Sequence, residues 1–133
     1  MNMEVILGEN MKVDVKSRGQ IIKTDQPQIA GGDGTAPAPL DLFFASIAAC
    51  AGFYAKAFCM QRDISYEGIK ISLRMIKNEQ TRLVDTFVID MKLPADFPKK
   101  YKAAIEMAVN ACAVKKTIAA APTFELNTVF EEK

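Results

Sequence analysis

Residues 39–61, PLDLFFASIAACAGFYAKAFCMQ, form a long apolar stretch that decides the fold. Frequent alanine, with leucine, phenylalanine and methionine between, favours an α-helix, which at 1.5 Å per residue would be about 34 Å long. Pro39 suits the first turn, where a missing N–H costs no hydrogen bond. The polar side chains do not gather on one side of this helix: Asp41, Ser46, Lys56 and Gln61. We therefore predict a buried helix, covered by protein on nearly all sides.

The same stretch is also long enough to cross a bilayer, but its composition argues against this. Lys56 lies inside it, alanine outnumbers leucine, and no basic segment precedes it. The first residues of the chain also lack the charged-then-apolar layout of a secretory signal. We therefore expect no membrane insertion and a cytoplasmic protein.

Composition limits the domain count and the classes of partner. With 133 residues, of which 50% are hydrophobic and 25% charged, the chain can bury one small core, so we predict a single domain over residues 1–133. A formal net charge of +1 without a basic cluster predicts no nucleic-acid partner. The absence of histidine removes His-based triads and His-containing metal sites. We expect no cofactor and no metal.

Alternation of apolar and polar residues on both sides of the helix indicates strands. Breaks at Gly8 and Gly19 separate three short strands, and residues 25–38 form a Pro- and Gly-rich loop. After the helix, a β-hairpin, a second helix, a short helical turn and a final strand complete the chain. The predicted ranges are 3–7, 11–16 and 20–24 for the meander, 66–76 and 82–93 for the hairpin, 98–112 and 114–120 for the helices, and 123–130 for the final strand. This order predicts an α+β fold.

The central helix also predicts an assembly. Two short sheets and one other helix cover about half of a cylinder of this length, and the remainder would exceed the apolar patch that a monomer exposes. We therefore expect an obligate homodimer in which the central helices of two subunits pack together or are wrapped by each other's sheets. The alternative is a monomer whose sheets curl around the helix.

Three cysteines, Cys50, Cys59 and Cys112, are the candidate reactive groups. Cys50 and Cys59 are nine residues apart, which on one helix places them on opposite faces and about 13 Å apart along the axis. A disulfide needs Cα atoms closer than about 7 Å, so these two cannot pair within one chain, and Cys112 is the intrachain partner left for Cys50. The lack of a CxxC motif argues against a zinc site.

The residues alone favour a structural role for these thiols. A cysteine between alanines on a buried helix is most often a small apolar filler, and we expect Cys59 to lie in the core. A reactive thiolate would need a positive charge nearby. Arg18 is the only arginine before the long helix. Lys115 and Lys116 follow Cys112, although two lysines on a short helical turn are more often solvated.

Two segments of the sequence resemble a known family. PLDLFFASIAAC at residues 39–50, followed by CAVKKT at residues 112–117, resembles the OsmC/Ohr family of osmotically inducible and organic-hydroperoxide-resistance proteins. The resemblance implies an intertwined α+β homodimer and a thiol peroxidase of the oxidative stress response that reduces organic hydroperoxides. It also implies that Cys50 is the peroxidatic residue and Cys112 the resolving one, joined by a Cys50–Cys112 disulfide after oxidation.

The sequence departs from this family at the residues that activate the thiol. Typical members place a glutamate ten residues before the helix cysteine, where it holds an arginine against the thiolate, and here that position is Leu40. The arginine of the family comes from the N-terminal sheet, and Arg18 is the candidate for it. The resemblance therefore implies a divergent OsmC-like subgroup, and we expect a low peroxidase rate.

Two functions remain open from the sequence. One is reduction of organic hydroperoxides by Cys50 and Cys112, with Arg18 as the activating residue and a thiol reductant that recycles the pair. The other is a non-catalytic dimer of the same fold that binds a small apolar ligand or a partner, in which the cysteines are only structural. Hydroperoxide consumption by the purified protein separates the two.

Overall fold

Three short strands near the N-terminus form an antiparallel meander in the order β1-β2-β3: Glu4–Leu7, Val13–Ser17 and Gln20–Thr24. The computed structural model describes residues 1–131, and the chain divides into an N-terminal unit, residues 1–46, and a C-terminal unit that contains the rest. The meander belongs to the N-terminal unit, where Val15 lies opposite Val5 on one side and Ile22 on the other. The three predicted strands are confirmed.

A buried carboxylate organises the loop that follows β3. Asp25 is fully buried and accepts hydrogen bonds from the N–H groups of Thr35 (3.0 Å), Gln26 (2.8 Å) and Asp33 (3.4 Å), and from the Thr35 hydroxyl (2.7 Å). The bonds from Thr35 above all favour the carboxylate and hold the pKa of Asp25 at about 2, although burial opposes them. Gly32 lets this loop close, because a Cβ there would overlap the carbonyl of Gln26.

The central helix, α1, spans Pro39–Gln61 as predicted. The Asp41 carboxylate accepts a hydrogen bond of 3.2 Å from the backbone N–H of Ala38, and this bond supports the first turn of α1. Beyond the last turn, Asp63 takes a left-handed φ of 53°, and the N–H of Ile64 bonds back to the carbonyl of Cys59 at 3.0 Å.

One stripe of α1 is buried: Ile47, Ala51, Ala55, Phe58 and Cys59. Most of these residues are three or four positions apart, so they share one face of the helix. The prediction of a helix covered on nearly all sides is wrong for the single chain, in which Phe53 and Met60 are 64% and 63% exposed. The other elements of one chain are too few and too short to cover the remaining faces.

The hairpin of the C-terminal unit consists of β4, Lys70–Lys77, and β5, Val84–Lys92, in antiparallel register. Both strands start later than predicted, because Gly68 and Arg82 take left-handed φ angles of 78° and 62° and belong to turns. Partly buried hairpin residues pack against the core of this unit: Ile71, Ile89 and Met91.

Two short helices follow the hairpin: α2, Lys102–Asn110, which a 3-10 turn at Lys99–Tyr101 precedes, and α3, Ala113–Ala119. The prediction of one helix over residues 98–112 is wrong at its end, because Cys112 leaves the helical conformation with φ −49° and ψ 125°. The core of the C-terminal unit combines residues of α1 and α2 with Phe97, which precedes the 3-10 turn: Ala51, Ala55, Phe58, Cys59, Phe97, Ile105 and Val109.

The final strand predicted over residues 123–130 is wrong for the described chain, which holds no strand after Lys92. Phe124, Leu126 and Phe130 are 95%, 92% and 96% exposed. The alternation in this segment is typical of a strand, but a strand also needs a neighbour that supplies hydrogen bonds. Neither described sheet pairs with this segment.

Candidate active site

Cys50 and Cys112 meet within the C-terminal unit, although they are distant in sequence. Cys50 is half-buried on α1, whereas Cys112 is fully buried at the position just before α3. The Cys112 thiol donates a hydrogen bond towards the Cys50 sulfur, and both thiols are free. The break between α2 and α3 directs Cys112 and the N–H groups that follow it towards Cys50.

The surroundings of Cys50 favour its thiolate. Burial raises the pKa of Cys50, but hydrogen bonds from the Cys112 thiol and from the backbone N–H groups of Val114 and Ala113 together outweigh burial and lower the pKa below its ordinary value. The two N–H groups belong to the first turn of α3, where the helix offers them no carbonyl partner. These three donors favour the thiolate, and none of them is a charged side chain.

The pKa of Cys112 shifts in the opposite direction. Burial raises it, and the hydrogen bond with Cys50 and the negative charge of the Cys50 thiolate raise it further. The N–H groups of Lys115 and Val114 oppose this shift without reversing it. The two sulfurs titrate as a pair, in which Cys50 loses its proton more easily and Cys112 keeps its own. Such a pair combines a nucleophile with a neighbouring thiol.

The structure gives the local surroundings of each basic residue that the sequence singled out. Arg18 occupies the turn between β2 and β3 in the N-terminal unit, with a left-handed φ of 48°, and its activating role stays a prediction. The Lys115 ammonium donates to the side-chain oxygen of Asn110 at 2.7 Å. Lys116 is exposed to solvent.

Sequence reasoning missed the donors that act on Cys50. The backbone N–H groups of Ala113 and Val114 have no side-chain signature, and the predicted second helix extended to residue 112, whereas α2 ends at Asn110. The available clue was the short helical segment just after Cys112, because the first N–H groups of any helix are free to donate.

Cys59 lies in the core, as predicted, with no exposed surface. Burial raises the pKa of its thiol, and the charge of Arg62 opposes this only in part. A buried thiol of this kind is inert. Within residues 1–131, no group of three or more Cys, Asp or Glu side chains converges to hold a metal ion.

Comparison with known proteins defines the class to which this fold and site belong. The family model for OsmC-like proteins matches residues 32–127, so the chain belongs to the OsmC-like protein family. This match confirms the family resemblance that residues 39–50 and 112–117 indicated. No curated protein matches the chain.

Solved structures share the fold at low sequence identity. An OsmC-like protein from Mycoplasma pneumoniae gives a TM-score of 0.69 at 14% identity, with 89% of this chain and 86% of that chain covered. A provisionally named osmotic stress induced and detoxification response protein from Psychrobacter arcticus gives 0.72 at 19% identity, covering 88% and 87%. A provisionally named organic hydroperoxide resistance protein from Vibrio cholerae, with captopril bound in one of the active sites, gives 0.52 at 15% identity, covering 89% and 84%. The predicted α+β class is confirmed.

Within residues 1–131, α1 is the one helix that is long and apolar enough to cross a membrane. The core helix of a soluble protein can have the same length and composition. Membership of the OsmC-like family favours the soluble interpretation.

Proposed function

We propose that this protein is a thiol peroxidase that reduces organic hydroperoxides, with Cys50 as the peroxidatic residue and Cys112 as the resolving residue. The observation that carries the proposal is the Cys50 sulfur, whose pKa is lowered by donors beside a second free thiol. Membership of the OsmC-like family supports it. The name of the Vibrio cholerae protein connects the same fold with organic hydroperoxide resistance.

The proposed reaction has two steps. The Cys50 thiolate attacks the terminal oxygen of the hydroperoxide, the O–O bond breaks, and the alkoxide takes up a proton and leaves as an alcohol, so that Cys50 becomes a sulfenic acid. The Cys112 sulfur then attacks the Cys50 sulfur, a disulfide forms, and the sulfenic hydroxyl leaves as water with the Cys112 proton. One hydroperoxide is reduced and two thiols are oxidised, and an external thiol reductant restores the pair.

Apolar side chains around Cys50 support an organic substrate. Ile47, Phe53 and Tyr54 lie three or four residues from Cys50 on α1, and a helix places such residues on the same side. A bulky organic group can pack against them, whereas hydrogen peroxide has no apolar group to pack.

Replacement of each cysteine tests the proposal. Cys50→Ser is expected to abolish thiol-dependent consumption of cumene hydroperoxide, and Cys112→Ser is expected to allow one oxidation per subunit and then to stall at the sulfenic acid. Cys59→Ala is the matched control and is expected to keep turnover, because its thiol is buried in the core. Equal consumption by wild type and Cys50→Ser would end the enzyme hypothesis and leave the non-catalytic binding dimer.

We assign to Arg18 the positive charge that activates Cys50, as the family resemblance implies. Arg18→Ala is expected to slow the first oxidation of Cys50 roughly tenfold without a change in the circular dichroism spectrum, because a nearby cation stabilises a thiolate. Arg82→Ala is the control, since it removes the same charge from another turn residue with left-handed φ. An unchanged rate for Arg18→Ala would leave the activation to the Cys112 thiol and the backbone donors.

The proposed enzyme is a cytoplasmic homodimer. Apolar side chains stand exposed on α1 and on the N-terminal meander, among them Phe53 at 64%, Val5 at 61% and Ile21 at 48%. Exposed apolar side chains of this kind are typical of an interface. A reducing compartment would keep the two thiols ready for the next peroxide.

A further inference from the structure

One side-chain hydrogen bond spans the break between α2 and α3. The Lys115 ammonium, in the first turn of α3, donates to the side-chain oxygen of Asn110, the last residue of α2, at 2.7 Å. Cys112 lies between these two residues, where the backbone leaves the helical conformation. The bond therefore ties the two helices together across Cys112.

The backbone does not supply this connection. The N–H of Cys112 bonds back to the carbonyl of Val109 at 3.3 Å, and the carbonyl of Cys112 accepts the N–H of Lys116 at 3.0 Å. Each of these bonds belongs to one side of the break, and within residues 1–131 no backbone hydrogen bond joins α2 to α3. The direction of α3 therefore depends on backbone torsion angles, on packing and on the Lys115–Asn110 bond.

The start of α3 carries the groups that act on Cys50. The Cys112 thiol and the N–H groups of Ala113 and Val114 donate to its sulfur. Hydrogen bonds weaken steeply when the donor moves away or turns. A rotation of α3 about Cys112 would thus withdraw the N–H donors and misalign the Cys112 sulfur with Cys50.

We propose that Lys115 is a positioning residue for disulfide formation, which holds the start of α3 beside Cys50 through its bond to Asn110. The inference rests on the proposed peroxidase function. Lys115 exchanges no proton or electron: the Cys112 sulfur attacks the Cys50 sulfenic acid, and the hydroxyl leaves as water with the Cys112 proton. Because Lys115 acts through a hydrogen bond, loss of either partner has the same effect.

Removal of each partner of the bond tests this role. Reduced protein receives one equivalent of cumene hydroperoxide in the presence of dimedone, which traps a sulfenic acid, and mass spectrometry gives the ratio of trapped Cys50 to the Cys50–Cys112 disulfide. Lys115→Met and Asn110→Ala are each expected to raise this ratio about fivefold, because each removes a hydrogen bond that involves a charged donor. The double variant is expected to match the single variants, because all three lack the same bond.

Further variants separate positioning from charge. Lys115→Arg keeps a donor within reach of Asn110 and is expected to stay near the wild-type ratio. Lys116→Met is the matched control, because it removes the same charge from the adjacent, exposed residue of α3, and it is also expected to keep the wild-type ratio. Asn110→Ala leaves the Lys115 ammonium in place, so a raised ratio in that variant does not come from lost charge.

A wild-type ratio in either Lys115→Met or Asn110→Ala would overturn the positioning role while peroxidase function stands. Additive effects in the double variant, or an equal change in Lys116→Met, would overturn it as well. A wild type that consumes no hydroperoxide would instead overturn the peroxidase function, and the positioning role with it.

Discussion

Hydrogen-bond donors around Cys50 supply part of the thiolate stabilisation. The OsmC/Ohr resemblance assigns that stabilisation to a glutamate and an arginine. Leu40 stands at the position of that glutamate. The Cys112 thiol and the N–H groups of Val114 and Ala113 nevertheless lower the pKa of Cys50. Backbone donors do not depend on side-chain identity, so a thiolate-stabilising environment persists where the glutamate is absent.

Asp25 makes the stability of the protein depend on pH. Its pKa is about 2 in the folded chain and about 4 in an unfolded one. The carboxylate therefore contributes stability that is present above about pH 4 and is lost as the pH falls towards 2. Asp25→Asn is expected to melt at a lower temperature than wild type at pH 7 and to lose less stability below pH 4.

Thermal melting followed by circular dichroism between pH 7 and pH 3 measures this effect. Glu67→Gln removes an exposed carboxylate and is expected to keep the wild-type profile. Parallel profiles for wild type and Asp25→Asn would contradict the role of the buried carboxylate.

Among the elements, the start of α3 has the most direct effect on reactivity. Ala113→Pro removes one N–H that donates to Cys50, at the first helical position, which tolerates proline. The preceding Cys112 already has the extended conformation that proline requires, with φ −49° and ψ 125°. The fold is therefore expected to persist, while the midpoint of Cys50 alkylation by iodoacetamide moves to higher pH.

Mass spectrometry of the Cys50 peptide follows this alkylation separately from the other thiols. Ala113→Gly is the matched control, because it also changes the side chain but keeps the N–H, and its midpoint is expected to stay near that of wild type. An unshifted midpoint in Ala113→Pro would mean that this N–H does not act on Cys50.

For the molecule as a whole, exposed apolar surface is the main reason to expect a dimer. Phe53 and Met107 border a groove of about 540 Å³ in the C-terminal unit and are 64% and 73% exposed. We expect sedimentation to give a dimer that unfolds in one transition, as a single domain over residues 1–133 would.

Phe53→Asp is expected to weaken this dimer, because it places a charge in the apolar surface, whereas Gln80→Asp adds the same charge to the exposed hairpin loop and is expected to have no effect. A concentration-independent monomer with a cooperative thermal transition would contradict the dimer. Two separate transitions would contradict the single domain.

Local patterns in the sequence determined most of the secondary structure. Pro39 and the alanine-rich run after it predicted α1 at both ends, because helix propensity and end signals depend on neighbouring residues in the chain. The meander, the hairpin and the α+β class followed from alternation between turn residues. The same alternation over residues 123–130 was not enough, because strand hydrogen bonds come from another strand.

Tertiary structure decided the chemistry of the cysteines. The sequence named Cys50 and Cys112 by spacing and resemblance, but it left a structural role for them open. The opposite pKa shifts of the two thiols depend on donors that the break between α2 and α3 brings to Cys50. Hydrogen bonds to a thiolate act only over contact distance, so packing between distant segments, and not the local pattern, sets which sulfur ionises.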